Sequence, residues 1–381
     1  MTKIFMFVNV DWFFLSHRLP IALVAAERNI EMRVFAEFTQ KQNKEYESFS
    51  FVPSPLTRTY KGFFRSFFEF FKILALLIAE RPHVIHAVTI KPIIFLGLAC
   101  YCLNLPFVAS ISGLGPAFTP SSNWGEARLL LVKLIYRIVF SPDQTRVICQ
   151  SSHDADVLVQ NRLVARSKIT IIDGSGVNLE EYQALSQEKT KPINVLMACR
   201  FLADKGVREF CSTAGVINKQ QKYDVTFSLA GSIDLDSPAA LSHSEVIQAC
   251  KDNDVQFLGS RSDMNKLLAK TDIFVLPSYY AEGIPKVLIE AAASGCAVIT
   301  TDHPGCRDAI LPGVTGILVE TRDISSLTNA LQRLLSDREM MVSMGKAGRQ
   351  MALERFCINR VVDAHYEIYR AFGRGETECQ P

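Results

Sequence analysis

Glu282 and Glu290, with seven residues between them, lie within Ser278-Tyr-Tyr-Ala-Glu-Gly-Ile-Pro-Lys-Val-Leu-Ile-Glu-Ala-Ala-Ala-Ser-Gly295. An apolar run at 273–276 reads as a strand entering a Pro/Ser/Tyr loop. Gly283-Ile284-Pro285 then opens a helix, with proline near its first turn, where a missing N–H costs nothing. Gly295 closes that helix. The unpaired N–H groups at such a helix start, here of Gly283 and Ile284, favour an anion, phosphate above all. Glu282 falls on the loop beside that position. Glu290 falls about one turn inside the helix, on the same face as Lys286 four residues earlier. One carboxylate at the mouth and one behind it would suit gripping sugar hydroxyls on both sides of a diphosphate.

Two cations upstream fit the same chemistry. Arg200 directly follows Ile-Asn-Val-Leu-Met-Ala-Cys, and Lys205 comes five residues later, before Gly206 and a helical run. Arginine offers planar, bidentate recognition and lysine a point charge. Together they could neutralise a diphosphate leaving group as its bond to a sugar breaks. Alone, they would read as ordinary surface cations, just as two glutamates at this spacing are common on solvated helix faces. The shared strand–loop–helix context favours the clamp.

Strand-like and helix-like runs alternate along the chain. Residues 3–10, 32–35, 84–86, 106–110 and 147–149 read as strands, with a helix over 19–27. After the polar break 186–192 the alternation restarts, with strands at 194–198, 226–230, 256–258, 273–276 and 297–300. Such alternation specifies parallel sheets covered on both faces, and two rounds specify two Rossmann-like α/β domains. Ligands of open α/β sheets bind beyond the carboxyl ends of the strands. Arg200, Gly231, Gly259 and Glu282 each follow a strand, so they converge on one rim. Residues 337–371 read as helical.

The Glu-x7-Glu motif, its Glu-Gly-x-Pro start, the following Ala-x-Gly-x-Ala-Val-Ile-Thr-Thr-Asp302, Arg200-x4-Lys205, Gly174-Ser-Gly-Val177 and Asp11-x-x-Phe-Leu-x-His-Arg18 together resemble the retaining glycosyltransferases of family 4. The resemblance covers nearly the whole chain. It implies the GT-B architecture, two doubly wound parallel-sheet domains facing across a cleft: an acceptor domain at 1–186, a nucleotide-sugar domain at 193–355, and a helix at 356–381 crossing back to the first. It implies that Arg200 and Lys205 bind the donor diphosphate, that Glu290 holds the ribose, and that Glu282 contacts the transferred sugar or stabilises charge at the reacting carbon. The Gly259/Arg261 loop would meet the base, with Gly231 one strand earlier, and the Gly176 loop would approach the donor. With Glu290 committed to ribose, double displacement through two close carboxylates has no obvious second residue. Front-face attack, the leaving phosphate taking the acceptor's proton, fits better.

In the first half, a glycine-rich loop common in the family is replaced by Trp12-Phe13-Phe14. His17 and Arg18 then either contact the acceptor or cap the helix from Leu19. By resemblance, His86 and Lys91 are acceptor-side candidates, as are Ser112 and Gly113, where many relatives place a histidine. The Ser-Gly-Leu-Gly sub-group resembles enzymes that add sugars, often N-acetylated, to lipid-linked glycans. The implied reaction moves a hexose or N-acetylhexosamine from a UDP-sugar to a polyprenyl-diphosphate-linked or other glycan acceptor in bacterial surface polysaccharide synthesis. It needs no cofactor and no metal. A non-hydrolysing UDP-sugar 2-epimerase and a non-catalytic sugar-binding protein are the alternatives on this architecture. The first has no use for the aromatic helix described next; the intact Arg200, Lys205, Glu282 and Glu290 set argues against the second.

That helix spans residues 60–77. Phe63, Phe64, Phe67, Phe68 and Phe71 line one side of it, and Arg65, Glu69 and Lys72 the other, with Lys61 nearby. Aromatics flanked by lysine and arginine describe a helix lying in a membrane interface; the alternative is a core helix, strongest for 74–78. A chain of 381 residues suits two or three domains. The net charge of +2 does not suit nucleic-acid binding. Residues 1–140 nonetheless carry 15 Lys+Arg against 9 Asp+Glu, so the first part suits an anionic partner such as a membrane surface. The ten scattered cysteines read as buried thiols of a reducing cytosol. The start reads as no signal peptide, and the longest apolar run, 93–103, is too short to span a bilayer. The expected location is the inner face of the cell membrane, peripherally.

Overall fold

The computed structural model describes residues 2–39, 50–57, 62–115, 118, 123–183, 192–234, 237 and 239–373. Lys61 and Cys379 lie outside these, and of Phe63, Asn123 and Trp124 only the backbone is described. The chain divides into two compact units, Met1–Ser175 with Asn359–Pro381, and Gly176–Ile358. The division falls earlier than the polar break at 186–192 because the segment after Gly176 is tied into the second unit. Val177 donates to the Phe356 carbonyl at 2.8 Å, Ile358 donates to the Val177 carbonyl at 3.1 Å, and the Arg349 guanidinium donates to the Leu179 carbonyl at 3.0 Å.

The first unit holds strands β1 (Thr2–Val10), β2 (Ile30–Glu37), β3 (Ser50–Pro53), β4 (Val84–Val88), β5 (Phe107–Ile111), β6 (Thr145–Cys149) and β7 (Ile169–Ile171). Between them run α1 (Asp11–His17), α2 (Leu19–Leu23), α3 (Phe63–Glu80), α4 (Ile90–Leu103), α5 (Asn123–Val139) and α6 (Ser152–Gln160). The sheet is parallel, in the order β3-β2-β1-β4-β5-β6-β7. Its core joins Phe5, Phe7, Ile85, Ala87, Phe107 and Ala109 of the strands to Ile73 and Leu77 of α3, Ile93 and Leu96 of α4, and Val132 and Tyr136 of α5.

The second unit holds β8 (Ile193–Arg200), β9 (Val225–Ser232), β10 (Gln256–Gly259), β11 (Ile273–Leu276), β12 (Ala297–Thr301) and β13 (Gly316–Val319), parallel in the order β10-β9-β8-β11-β12-β13. Its helices are α7 (Val207–Gln220), α8 (His243–Asp252), α9 (Met264–Leu268), α10 (Lys286–Ala293), α11 (Pro304–Arg307), α12 (Ile324–Ser336) and α13 (Arg338–Arg355). The helical stretch expected over 337–371 is broken at Phe356 and Cys357. Beyond the break, α14 (Ile358–Gly373) packs within the first unit, where the Tyr366 hydroxyl donates to the Ile21 carbonyl at 2.7 Å.

The fully buried strands are predominantly apolar, as a covered parallel sheet requires, with His86 in β4, Ser110 in β5 and Thr300 and Thr301 in β12 as buried polar exceptions. Two stretches differ from expectation. Helix begins at Asp11 itself, since the buried Asp11 carboxylate accepts from the backbone N–H of Trp12 at 2.8 Å and of Thr39 at 2.7 Å. The helix expected over 19–27 is α2 followed by a 3-10 turn at Ala26–Arg28.

Candidate functional site

Both sheets reverse their winding once, the first between β1 and β4 and the second between β8 and β11. A crevice opens beyond the carboxyl ends of the strands at such a point. Arg200 ends β8, and the chain turns through a short 3-10 segment, Ala203–Lys205, into Gly206. Gly206 has φ +80°, and a Cβ there would lie 2.4 Å from the Pro277 carbonyl oxygen, so the loop after β8 presses directly on the loop after β11. The two loops are stitched together. Tyr279 N–H donates to the Asp204 carbonyl at 2.9 Å and the Tyr279 hydroxyl to the Ala203 carbonyl at 3.0 Å. The Lys205 ammonium lies 4.9 Å from the centre of the Tyr280 ring, within cation–π reach, with the Arg200 guanidinium 5.8 Å away.

Three ion pairs follow. The buried Lys205 pairs with Glu282. Arg200 donates to Asp234 at 2.6 Å. Lys286 and Glu290, one helical turn apart on α10, meet at 3.3 Å. Burial raises the Glu290 carboxyl above the ordinary 4.5, opposed by the nearby Lys286 charge and by a hydrogen bond from Tyr182. Burial would lower Arg200, but the Asp234 hydrogen bond and the Tyr280, Glu282 and Asp234 charges outweigh it and hold the guanidinium above its usual value. Gly305 of α11 backs the Glu282 loop: a Cβ there would lie 2.3 Å from the Gly283 carbonyl oxygen and 2.5 Å from that of Glu282. Pro285 caps α10 and Gly295, at φ +76°, follows its end.

The remaining second-unit candidates are more dispersed. Gly231 lies within the end of β9, opposite Cys199, rather than beyond the strand. Gly259 ends β10 at φ +64° with open space around it. Arg261 is exposed and closed on Asp263 by two hydrogen bonds of 2.8 and 2.7 Å. Gly176, at φ +77°, belongs to the second unit, not the first.

At the β1/β4 reversal the first unit is built differently. His17 stacks on Phe13, ring centres 4.3 Å apart. Arg18 sits between α1 and α2 with its side chain buried; it makes no side-chain cap of α2 and instead donates to the Ser112 hydroxyl at 3.4 Å and the His17 carbonyl at 3.2 Å. Burial lowers Arg18 to about 10. His86 is corrected from an acceptor-side candidate to an interior residue. It is fully buried, and its two ring nitrogens are engaged by the Tyr369 and Ser110 hydroxyls, each at 2.7 Å. Burial, then the charges of His365 and Arg18, hold it well below 6.5; His365 is pushed down to about 3, by burial first and then Arg18. Lys91 is engaged by the Glu69 carboxylate at 3.0 Å and donates to the Thr57 carbonyl at 2.7 Å. Gly113 follows Ser112 at φ +102°. Thr89, before α4, adopts φ 76° and ψ 163° with its hydroxyl oxygen buried and lacking a hydrogen-bond partner. A β-branched residue there is a strained outlier, at a cost of about 1–3 kcal/mol.

Helix α3 turns its phenylalanines outward: Phe64, Phe67, Phe68 and Phe71 are exposed, while Ile73 and Leu77 enter the core. Glu69, expected on the polar face, is buried instead, because it receives both Lys91 and the Thr57 hydroxyl, the latter at 2.8 Å. Asp234, Tyr280, Tyr182 and Gly305 around the second-unit site, and His365 and Tyr369 of α14, were not legible as site residues in the sequence. His365 and Tyr369 do stand four apart on one helix face among Val361, Val362 and Tyr366, which marks the face as buried.

The chain matches two family models in succession, Glycosyltransferase Family 4 over residues 21–181 and Glycosyl transferases group 1 over residues 179–351. An N,N'-diacetylbacillosaminyl-diphospho-undecaprenol alpha-1,3-N-acetylgalactosaminyltransferase of Campylobacter jejuni is 27% identical over 93% of this chain and 97% of its own. A UDP-Gal:alpha-D-GlcNAc-diphosphoundecaprenol alpha-1,3-galactosyltransferase of Escherichia coli is 27% identical over 62% of this chain and 64% of its own. Among solved structures, sucrose-phosphate synthase of Thermosynechococcus elongatus superposes with a TM-score of 0.77 at 19% identity, covering 98% of this chain and 100% of that one. Anabaena HepE in complex with UDP superposes at 0.75 and 17%, covering 97% and 100%. Among the described residues, no helix is long and apolar enough to cross a membrane.

Proposed function

The chain belongs to the glycosyltransferases that its two halves match, with Rossmann-like units of the GT-B class, and on that premise we propose that it moves a hexose or N-acetylhexosamine from a UDP-sugar to a polyprenyl-diphosphate-linked glycan. The observation that carries this reading is the rim of the second sheet, where Arg200, Lys205, Glu282 and Glu290 come together as salt-bridged groups at the β8/β11 reversal. The activities for which the Campylobacter and Escherichia relatives are named support the donor and acceptor classes.

The three ion pairs prepare the site for an incoming anion. A diphosphate takes the donors of Arg200 and Lys205, which releases Asp234 and Glu282 from their partners. Glu282 then accepts from hydroxyls of the transferred sugar, and the backbone N–H groups of Gly283 and Ile284 meet the diphosphate at the start of α10. Glu290, with Lys286 and Tyr182 fixing its position, accepts from the ribose hydroxyls. Gly231, Gly259 and Arg261 border the base. The sugar–phosphate bond breaks, the acceptor hydroxyl attacks from the same face, and its proton passes to the departing phosphate oxygen, so the anomeric configuration is retained. Arg200 and Lys205 hold the charge that develops on the leaving group, which is where a fixed donor accelerates most. The reaction uses no metal and no cofactor. On the first unit, Ser112, Gly113, His17 and Lys91 border the acceptor side, with the buried Arg18 behind Ser112, and the exposed phenylalanines of α3 rest on the anionic inner face of the membrane that holds the lipid.

The test incubates the full chain with a panel of labelled UDP-sugars, with and without a lipid-diphosphate sugar acceptor, in EDTA. Transfer dependent on the acceptor, with a product of the donor's anomeric configuration by NMR, is expected. A changed sugar with no acceptor would point to isomerisation, and binding without turnover to a sugar-binding protein.

A further inference from the structure

Helix α5 presents a second apolar face that the sequence patterning did not single out. Leu130, Leu131 and Leu134 are 71%, 56% and 53% exposed, against 80% and 64% for Phe64 and Phe68 of α3. On the same helix Val132, Tyr136 and Val139 are buried in the core. With 100° per residue, Leu130 and Leu134 point away from that buried face rather than lying along its edge. Leaving these leucines in water forgoes their burial without any packing gain to the fold.

Helices α3 and α5 lie in one layer. Both contribute to the same core cluster on the sheet, and α4 packs between them. The three helices connect strands that advance in one direction across the sheet, β3 to β4, β4 to β5 and β5 to β6, and right-handed crossovers place all three on one face. Partly exposed Ile94, Phe95 and Leu98 of α4 join the outer surface. The aromatic half of α3 lies at the end of this layer nearest the carboxyl ends of the strands, since Glu69, between Phe68 and Phe71, is paired to Lys91 in the first turn of α4. Cations accompany the apolar side chains: Lys72 and Arg65 on α3, and Lys133 on α5.

Resting on the membrane-surface reading given above, we propose that α5 is a second bilayer-contacting helix, so that Leu130 and Leu134 enter the interface together with the α3 phenylalanines, and Lys133 meets anionic headgroups. Exposed apolar area of this extent, bordered by cations, matches an anionic lipid surface in both hydrophobicity and charge. Two helices across α4 define a plane, whereas one helix would leave the unit free to roll about its axis.

The test is co-sedimentation of the full chain with phosphatidylcholine vesicles, with and without phosphatidylglycerol, for wild type, Leu130→Ser/Leu134→Ser and Phe67→Ser/Phe68→Ser, each with a thermal melt and light scattering. All four substituted positions are exposed, so the melts should match wild type. Each double variant should lose about tenfold or more in vesicle affinity, and Lys133→Glu should reduce only the preference for phosphatidylglycerol. A folded α5 variant that binds like wild type, while the α3 variant does not, would overturn the role of α5 and leave the membrane-surface reading standing. Retention by both variants would end both. A dimer that the α5 substitutions dissociate, with vesicle binding unchanged, would assign the leucines to a second copy of the chain and overturn the proposal.

Discussion

The two sheets reverse at equivalent points in their winding, yet the residues beyond the strands could hardly differ more. Beyond β8 and β11 stand three cation–carboxylate pairs, two on loops and one on α10. Around β1 and β4 the charges are Asp11, Arg18 and the Lys91–Glu69 pair, and behind them two imidazoles are held neutral by burial, with His86, Ser110 and Tyr369 joined by short hydrogen bonds in the interior. Topology decides where a crevice lies; the loops decide what chemistry it hosts. The charged rim can exchange partners with a ligand at little cost, because each of its groups already has a counter-ion. The two buried imidazoles of the first unit cannot gain a proton near neutrality without disturbing its interior.

The largest expected effect tests whether the charged pairs do chemistry or only brace loops. Arg200→Ala and Lys205→Met should each lower turnover by about two to three powers of ten, with the circular dichroism spectrum unchanged. Wild-type rates in both variants would reduce the charged rim to scaffolding and erase the contrast. Next comes Glu290, whose contacts form with bound UDP and not only in the transition state. Glu290→Gln should weaken UDP by about tenfold or more in calorimetry. Because burial raises this carboxyl, wild-type affinity should begin to fall on acidification at a pH above 4.5, and Glu290→Gln should lack that dependence. Parallel pH profiles for the two proteins would remove Glu290 from the ligand.

A smaller effect sharpens the other half of the comparison. His365 titrates near 3 when folded and near 6.5 when unfolded, so below 6.5 the unfolded chain binds the extra proton. Stability is therefore complete above 6.5 and lost as pH falls toward 3, by about 2 kcal/mol between pH 6.5 and 5 for this one group. Urea melts across that range should slope less steeply for His365→Leu than for wild type. Equal slopes would show the imidazole is not held neutral.

The Glu-x7-Glu segment was legible because several independent signals coincide there: a buried strand, a turn, a proline and glycine bounding one helix, and carboxylates at fixed offsets. Both sheets were legible for a similar reason, since buried parallel strands announce themselves as apolar runs. Strands β3, β7 and β13 escaped, each three or four residues at a sheet edge, where the pattern is short; β10, as short and also at an edge, was legible. Asp234 and Tyr280 escaped because loop residues acquire their partners only through tertiary approach, here the contact of Gly206 with Pro277. His86 was misjudged on the same ground. A histidine ending a strand looks available until α14, nearly three hundred residues further along the chain, supplies Tyr369. The exposed leucines of α5 were missed because a helix alone does not reveal which of its apolar stripes the sheet will claim.

Thr89 offers a lever for protein engineering. Glycine adopts its φ of 76° freely, so Thr89→Gly should raise stability by about 1 kcal/mol, the relieved strain less glycine's greater loss of freedom on folding. A hardier variant that keeps its turnover would mark the threonine as an inherited imperfection, open to improvement. One that gains heat resistance while slowing on lipid acceptors would show durability and catalytic speed traded against each other at a single backbone angle, and would set the limit to which this scaffold can be hardened for use.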